Sequence, residues 1–263
     1  MKTSADLTRQ IVVAVSAVVA IVGSFIGSGA AGGTPIQDAA GGALSASATL
    51  IAPAGSAFGI WSVIYLGLVA YAIWQALPAQ ATAERHRALG YPVAASLVLN
   101  AAWILSIQFD LLWASVPVIV ALLAVLIYAF LITLRLRPTG TVDGIITDGT
   151  IGLYLGWVCV ATAANITAVL VAAGFTGWGI PGEVWSVVIL LVAATVGVFL
   201  AWRGHGRIAP ALSLGWGLVW VGVGRVSGEL LSTPTAIAAF SAVLIVLGAT
   251  IAFRVGSFGF SER

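Results

Sequence analysis

The chain has 263 residues, of which 60% are hydrophobic and only 8% charged, and its mean hydropathy is +1.11. A soluble domain carries about 25% charged residues, so the composition excludes a water-soluble domain and places most of the chain in lipid. The net charge of +2 and pI near 9.0 do not call for a nucleic acid, because the basic residues sit in the gaps between apolar runs and read as an orientation signal.

The first apolar run, from Ile11 to about residue 30, follows Lys2 and Arg9. Its length exceeds the usual 7–15-residue core of a signal peptide, and no tidy cleavage site follows, so a retained first helix is expected. The Gly23-Ser-Phe-Ile-Gly27 spacing would let a neighbouring helix approach closely. Residues 31–56 form the longest polar-leaning loop, rich in Gly, Ala, Ser and Thr. Seven further runs follow, at about 57–77, 89–108, 111–134, 148–173, 183–202, 208–227 and 234–253. Each is near the ~20 residues needed to cross ~30 Å of hydrocarbon. The connections are short and leave no room for a soluble domain, so the expected fold is an all-α integral membrane protein with eight spans.

Charge supports the count. With the N-terminus inside, the inner segments hold Lys2, Arg9, Arg85, Arg87, Arg135, Arg137, Arg203, Arg207, Arg254 and Arg263, and the outer ones only Arg225. That bias predicts both termini in the cytoplasm of an inner- or plasma-membrane protein, with the 31–56 loop outside. No Asp, Glu, Lys or Arg falls mid-span, where ion-coupled transporters usually place ionisable groups. Glu183 reads as a cap at the start of the sixth helix, and Arg225 and Glu229 as a pair one turn apart. His86 and His205 lie among arginines in inner loops, where a solvated, structural role is expected. The lone Cys159 excludes an internal disulfide, and with only two histidines no protein-only zinc site is expected. Mid-span, Cys159 reads as a small core residue.

Polar and aromatic residues stand at helical spacing inside three runs. The fifth reads Leu153-Tyr-Leu-Gly-Trp157-Val-Cys-Val-Ala161-Thr162-Ala-Ala-Asn165, and Tyr154, Trp157, Ala161 and Asn165 share one face. The second places Phe58, Trp61, Tyr65 and Ala72 on one face, and the third Ser96, Asn100 and Trp103. At 1.5 Å per residue, Tyr65, Asn100 and Asn165 each lie roughly 12 Å from the outer ends of their helices. If these faces meet, they enclose an aromatic cavity with the 31–56 loop above it as a lid. Two structural readings stand beside that one. Membrane asparagines commonly join helices by hydrogen bonds, and tryptophans anchor at interfaces, as expected for Trp113, Trp178 and Trp202. Periodicity alone leaves these alternatives open.

Three segments resemble the TspO/MBR family of tryptophan-rich sensory proteins, also called the translocator protein family. Pro53-Ala-Gly-Ser-Ala-Phe58-Gly-Ile-Trp61-Ser-Val-Ile-Tyr65 is similar to the family's approach to helix 2, Leu99-Asn100-Ala-Ala-Trp103 to its helix 3 motif, and the stretch quoted above to its helix 5 motif. Ala54 and Leu153 stand where the family pattern has proline. The resemblance covers about residues 10–173 and implies a five-helix core over 1–176, with a three-helix extension over 177–263. It implies binding of a tetrapyrrole, protoporphyrin IX or haem, or a similar flat hydrophobic molecule, in a sensory or regulatory role with no required cofactor. By motif position, Trp61 and Trp157 would face the ligand, and Asn100 and Asn165 would orient it. The expected ligand site is therefore Phe58, Trp61, Tyr65, Asn100, Trp103, Tyr154, Trp157 and Asn165, with no catalytic or metal-binding residue. Family members often dimerise, so a homodimer in the lipid bilayer is an expectation too. Light-dependent porphyrin breakdown rests on the resemblance alone, since no nucleophile–base pair is present.

The seventh run, Leu212-Ser-Leu-Gly215-Trp216-Gly-Leu-Val-Trp220-Val-Gly222-Val-Gly224-Arg225, echoes the fifth, with Trp216 aligned to Trp157 and Gly224 to Asn165. Eight spans and that echo support an alternative function, a small-solute transporter or facilitator.

Overall fold

The computed structural model describes residues 3–259, with the expectations for Lys2 and Arg263 lying outside them. Among these described residues, eight helices are long and apolar enough to cross a membrane: α1 Ser4–Gly27, α2 Ile60–Trp74 continuing a 3₁₀ turn at Gly55–Gly59, α3 Glu84–Gln108, α4 Leu112–Arg135, α5 Thr141–Ala172, α6 Gly182–Arg203, α7 Ile208–Ser227 and α8 Thr233–Gly259. Among the described residues there is no strand, as expected where lipid offers the backbone no hydrogen-bond partner.

The helices fall into two compact units. The first is built from the chain up to Ile36 and from Ile60–Leu155, the second from Gln37–Gly59 and the chain from Gly156 onward. This boundary differs from the 176/177 division drawn from the resemblance. Gly156 shows why the later half of α5 belongs with the C-terminal helices: any Cβ there would run into the Pro210 carbonyl and the Ser213 side chain of α7.

In unit 1, α3 is the central helix and packs lengthwise against both α1 and α4. The small-residue spacing of α1 is used as expected. A Cβ on Gly23 would stand 2.8 Å from Ala101 Cβ, and one on Gly27 2.7 Å from Ile104. Gly23→Val is expected to cost about 1–3 kcal/mol through overpacking. Val18→Ala, on the exposed face of α1, should stay within about 0.5 kcal/mol of wild type. Thermal unfolding of the detergent-purified protein, followed by circular dichroism, compares the two. The start of α1 is fixed by a capping box in which Asp6 N donates to Thr3 Oγ1 (3.2 Å) and Thr3 N donates to the Asp6 carboxylate (3.0 Å). The same buried carboxylate takes a bidentate pair from Arg87, both bonds 2.7 Å, which ties α1 to the first turn of α3.

In unit 2, α8 packs along both α6 and α7 around a core of Val160, Leu190, Leu214, Leu218, Val243 and Val246. The α7 glycines allow close approach: a Cβ on Gly217 would meet Val160 at 2.9 Å, and one on Gly222 would meet the Phe240 ring at 2.7 Å. Cys159 packs against this core.

Candidate functional site

The eight expected site residues divide between the units. Unit 1 holds Trp61, Tyr65, Asn100, Trp103 and Tyr154, and unit 2 holds Phe58, Trp157 and Asn165. In unit 1, α2 and α5 present their aromatic faces to each other. The Trp61 ring lies 5.6 Å from Tyr65 and 5.9 Å from Tyr154, edge-on to the latter. Trp61 and Tyr65 are half-buried, whereas Tyr154 is fully buried and its hydroxyl donates to the Ser96 carbonyl of α3 (3.2 Å). The shared depth inferred for Tyr65 and Asn100 is real, since Asn100 Nδ2 donates to the Tyr65 hydroxyl at 2.5 Å. That hydroxyl also bonds Ser24 Oγ of α1. Asn100 thus joins helices, yet its Oδ1 is buried with no hydrogen-bond partner in the structure. Trp103 is buried within α3.

In unit 2, Trp157 is buried with its ring 5.9 Å from Phe58, edge-on, and Asn165 is buried two turns further along α5. The 31–56 loop, expected as a lid, carries hydrogen bonds of a different kind. Its unit 2 part is a strap fastened to α7: Ala54 N donates to the Trp220 carbonyl (3.1 Å), and Trp216 Nε1 to the Ala57 carbonyl at the strap's end (2.9 Å). Arg225 donates to the carbonyls of Thr49 (3.0 Å) and Ala46 (2.6 Å). This corrects the expected Arg225–Glu229 pair. Arg225 is 2% exposed and directs its guanidinium to two strap carbonyls, of which that of Thr49 also accepts from Ala52 N (3.1 Å). The two tryptophans of the α5/α7 echo therefore meet the same strap end, Trp157 at Phe58 and Trp216 at Ala57. Glu183 lies in the first turn of α6 as expected and accepts from Ser232 (2.8 Å).

A second polar centre, at the arginine-rich end of unit 1, was not anticipated. Helix α5 starts at Thr141 rather than near 148, and Gly144–Gly149 is a π-helical turn. Asp143 and Asp148 are five residues apart, which in an α-helix separates them by about 140° around the axis. The i→i+5 turn brings them toward one side, where both carboxylates bind Arg85. Asp143 also accepts from Thr147 Oγ1 (2.7 Å), Trp74 Nε1 (3.3 Å) and Thr139 N (3.3 Å). His86, expected in a solvated basic loop, is instead wholly buried in the first turn of α3. Its ring lies 5.8 Å from Tyr71, and its Nε2 3.6 Å from Asp143. Arg9 donates to the Ala81 carbonyl (2.9 Å), and Gln10 to the Gln75 carbonyl (3.0 Å). The sequence signal was the Asp-x₄-Asp spacing, with a glycine after each aspartate, opposite a basic helix start. His205 behaves as expected, exposed in a turn with φ +52°. Trp113, Trp178 and Trp202 are exposed, as interface anchors would be.

Among the described residues no group of three or more His, Cys, Asp or Glu side chains is placed to hold a metal ion. The arrangement offers stacking surfaces and hydrogen-bonding edges.

No curated protein and no solved structure matches the chain. The sequence model of the TSPO-like protein family does, over residues 11–252. That span runs through α6–α8, well beyond the 10–173 stretch that carried the motif resemblance. An integral membrane chain of eight apolar helices with this match belongs to the TSPO-like protein family.

Proposed function

We propose that the chain is a membrane sensor that binds a flat, hydrophobic ligand of the tetrapyrrole class, such as protoporphyrin IX or haem, against the Trp61–Tyr65–Tyr154 face of unit 1. The observation that carries this reading is the combination of half-buried rings with an unsatisfied acceptor. Trp61 and Tyr65 offer stacking area, and Asn100 Oδ1 beside them lacks a donor that a pyrrole N–H would supply. Ligand occupancy would select one packing of α2 against α5, which is how binding becomes a signal. The concentration of arginines at one end of unit 1 supports placing both termini in the cytoplasm.

The test is titration with protoporphyrin IX in lipid nanodiscs, followed by quenching of tryptophan fluorescence. Saturable micromolar binding is expected, weakened about 2- to 10-fold by Trp61→Leu and by Asn100→Ala separately, as loss of one stacking or polar contact predicts. Non-saturating curves, identical in wild type and both variants, would mean that the porphyrin only partitions into lipid, and the proposal would fail.

A further inference from the structure

Unit 2 contains a cavity of about 800 Å³ that includes none of the eight expected site residues. Its walls are Ala48–Ile51 of the strap, Ile166 and Leu170 of α5, the turn at 175–180 and Trp185 of α6. The volume lies within the roughly 300–1,000 Å³ typical of small-molecule sites. Aromatic rings close one side. Phe175, Trp178 and Trp185 stand mutually edge-on, with centroids 5.2, 5.9 and 6.1 Å apart. Trp185 Nε1 is already committed to the Gly177 carbonyl (3.1 Å), which fixes the indole and leaves its ring as the surface offered. The turn that carries Trp178 is held in an unusual conformation. Trp178 itself has φ +55°, flanked by Gly177 and Gly179 at +77° and +79°, a region costly for a bulky side chain.

Two features define what the cavity accepts. None of its lining residues is Asp, Glu, Lys, Arg or His, so an ionised ligand would lose its hydration with no counter-charge. A tetrapyrrole bearing carboxylates is a poor match. Thr49 lines the cavity, and its hydroxyl is buried with no hydrogen-bond partner in the structure. A buried hydroxyl left without a partner is destabilising by about 1–3 kcal/mol, and a ligand with one donor or acceptor at that point removes the deficit. Trp185 thus supplies a flat apolar wall, and Thr49 supplies the buried hydroxyl that lacks a partner, in a lining that also holds Thr167, Thr176 and a Ser186 already bonded to the Glu183 carbonyl.

We infer that this cavity is a second ligand site, selective for an uncharged, largely ring-built lipophile carrying one hydroxyl or carbonyl group, which Thr49 hydrogen-bonds. It is independent of the tetrapyrrole site proposed in unit 1. The strap makes it a site of the α5–α8 half, because Thr49 is positioned through its own carbonyl by Arg225.

The experiment uses three matched probes in nanodiscs of one lipid composition: 1-pyrenemethanol, 1-methylpyrene and 1-pyrenecarboxylate. Energy transfer from tryptophan to pyrene reports binding. Wild type is expected to bind pyrenemethanol saturably, with methylpyrene and the carboxylate each weaker by about tenfold, the worth of one good hydrogen bond or more. Thr49→Val should weaken pyrenemethanol by about the same factor while leaving methylpyrene unchanged. Thr49→Ser keeps the hydroxyl and should restore binding, which separates loss of the anchor from misfolding. The inference is overturned by equal affinity for pyrenemethanol in wild type and Thr49→Val. It is equally overturned by preferential binding of the carboxylate, or by non-saturating transfer that shows only lipid in the cavity.

Discussion

Asp143→Ala is expected to lower the stability of the protein by about 3–5 kcal/mol, the cost of removing one partner from a buried ion pair. For a chain of this size the shift in thermal midpoint would be about 6–20 °C, measured by circular dichroism in detergent. The carboxylate is 1% exposed and gathers donors from α2, the turn before α5, and α5 itself, through Trp74, Thr139 and Thr147. It also faces Arg85 and His86 at the start of α3. Removing it takes the acceptor from three donors and takes from Arg85 one of its two carboxylates, leaving it Asp148 and the Leu136 carbonyl. Desolvation of the carboxylate works against the native state, but deleting it takes the acceptor from the buried Thr147 hydroxyl and one carboxylate from the buried Arg85, and that cost dominates. Asp143→Asn keeps the shape and an acceptor oxygen while losing the charge, so a smaller loss is expected. Asp148 is more exposed than Asp143, and Asp148→Asn should cost less still. A loss below 1 kcal/mol for Asp143→Ala would show that the π-turn does not depend on its hub.

The spans were legible because membrane thickness translates directly into run length, and the apolar runs of about 20 residues reappear as α1–α8. The shared depth of Asn100 and Tyr65 was legible for the same reason, from the rise per residue, and the bond between them was not. The polar end of unit 1 was not. Hydropathy discards Thr141–Asp148 as loop, and charge counting notes where Arg85 stands without showing that two aspartates on a widened turn lie opposite it. His86 was misread by its neighbours in sequence, when its neighbours in space are Tyr71 and Asp143. The family's reach into α6–α8 was hidden for another reason. Motifs such as Leu-Asn-x-x-Trp are visible because they combine rare residue types, whereas α8 contributes Ala and Val packing that looks like any membrane helix. The cavity was illegible too. Trp178 and Trp185 gave no periodic signal, and Thr49 sits in a segment whose composition suggested only a loop.

Arg225→Leu is the complementary prediction for unit 2, an expected loss of about 2–4 kcal/mol as the Thr49 and Ala46 carbonyls lose their charged donor. A buried guanidinium near a membrane helix end is itself expensive, so a leucine could in principle stabilise. The strap decides the sign. Ala46 and Thr49 turn their carbonyls toward α7, and with Arg225 gone the buried Thr49 carbonyl keeps only Ala52 N while the partly buried Ala46 carbonyl loses its charged donor. Arg225→Lys separates geometry from charge. The planar fork reaches two carbonyls at 2.6 and 3.0 Å together, whereas a single ammonium is a point donor on a flexible stem, so lysine should recover only part of the loss. Amide hydrogen exchange locates the effect. Ala52 N and Ala54 N, which bond the Thr49 and Trp220 carbonyls, should exchange faster in Arg225→Leu than in wild type, while amides within α1 and α3 stay unchanged. Because the strap carries Thr49 into the cavity, the same variant should weaken 1-pyrenemethanol at least as much as Thr49→Val does. Unaltered exchange at Ala52 and Ala54 would mean that Trp216 and Trp220 alone hold the strap, and that the arginine is retained for some other reason than the site it borders.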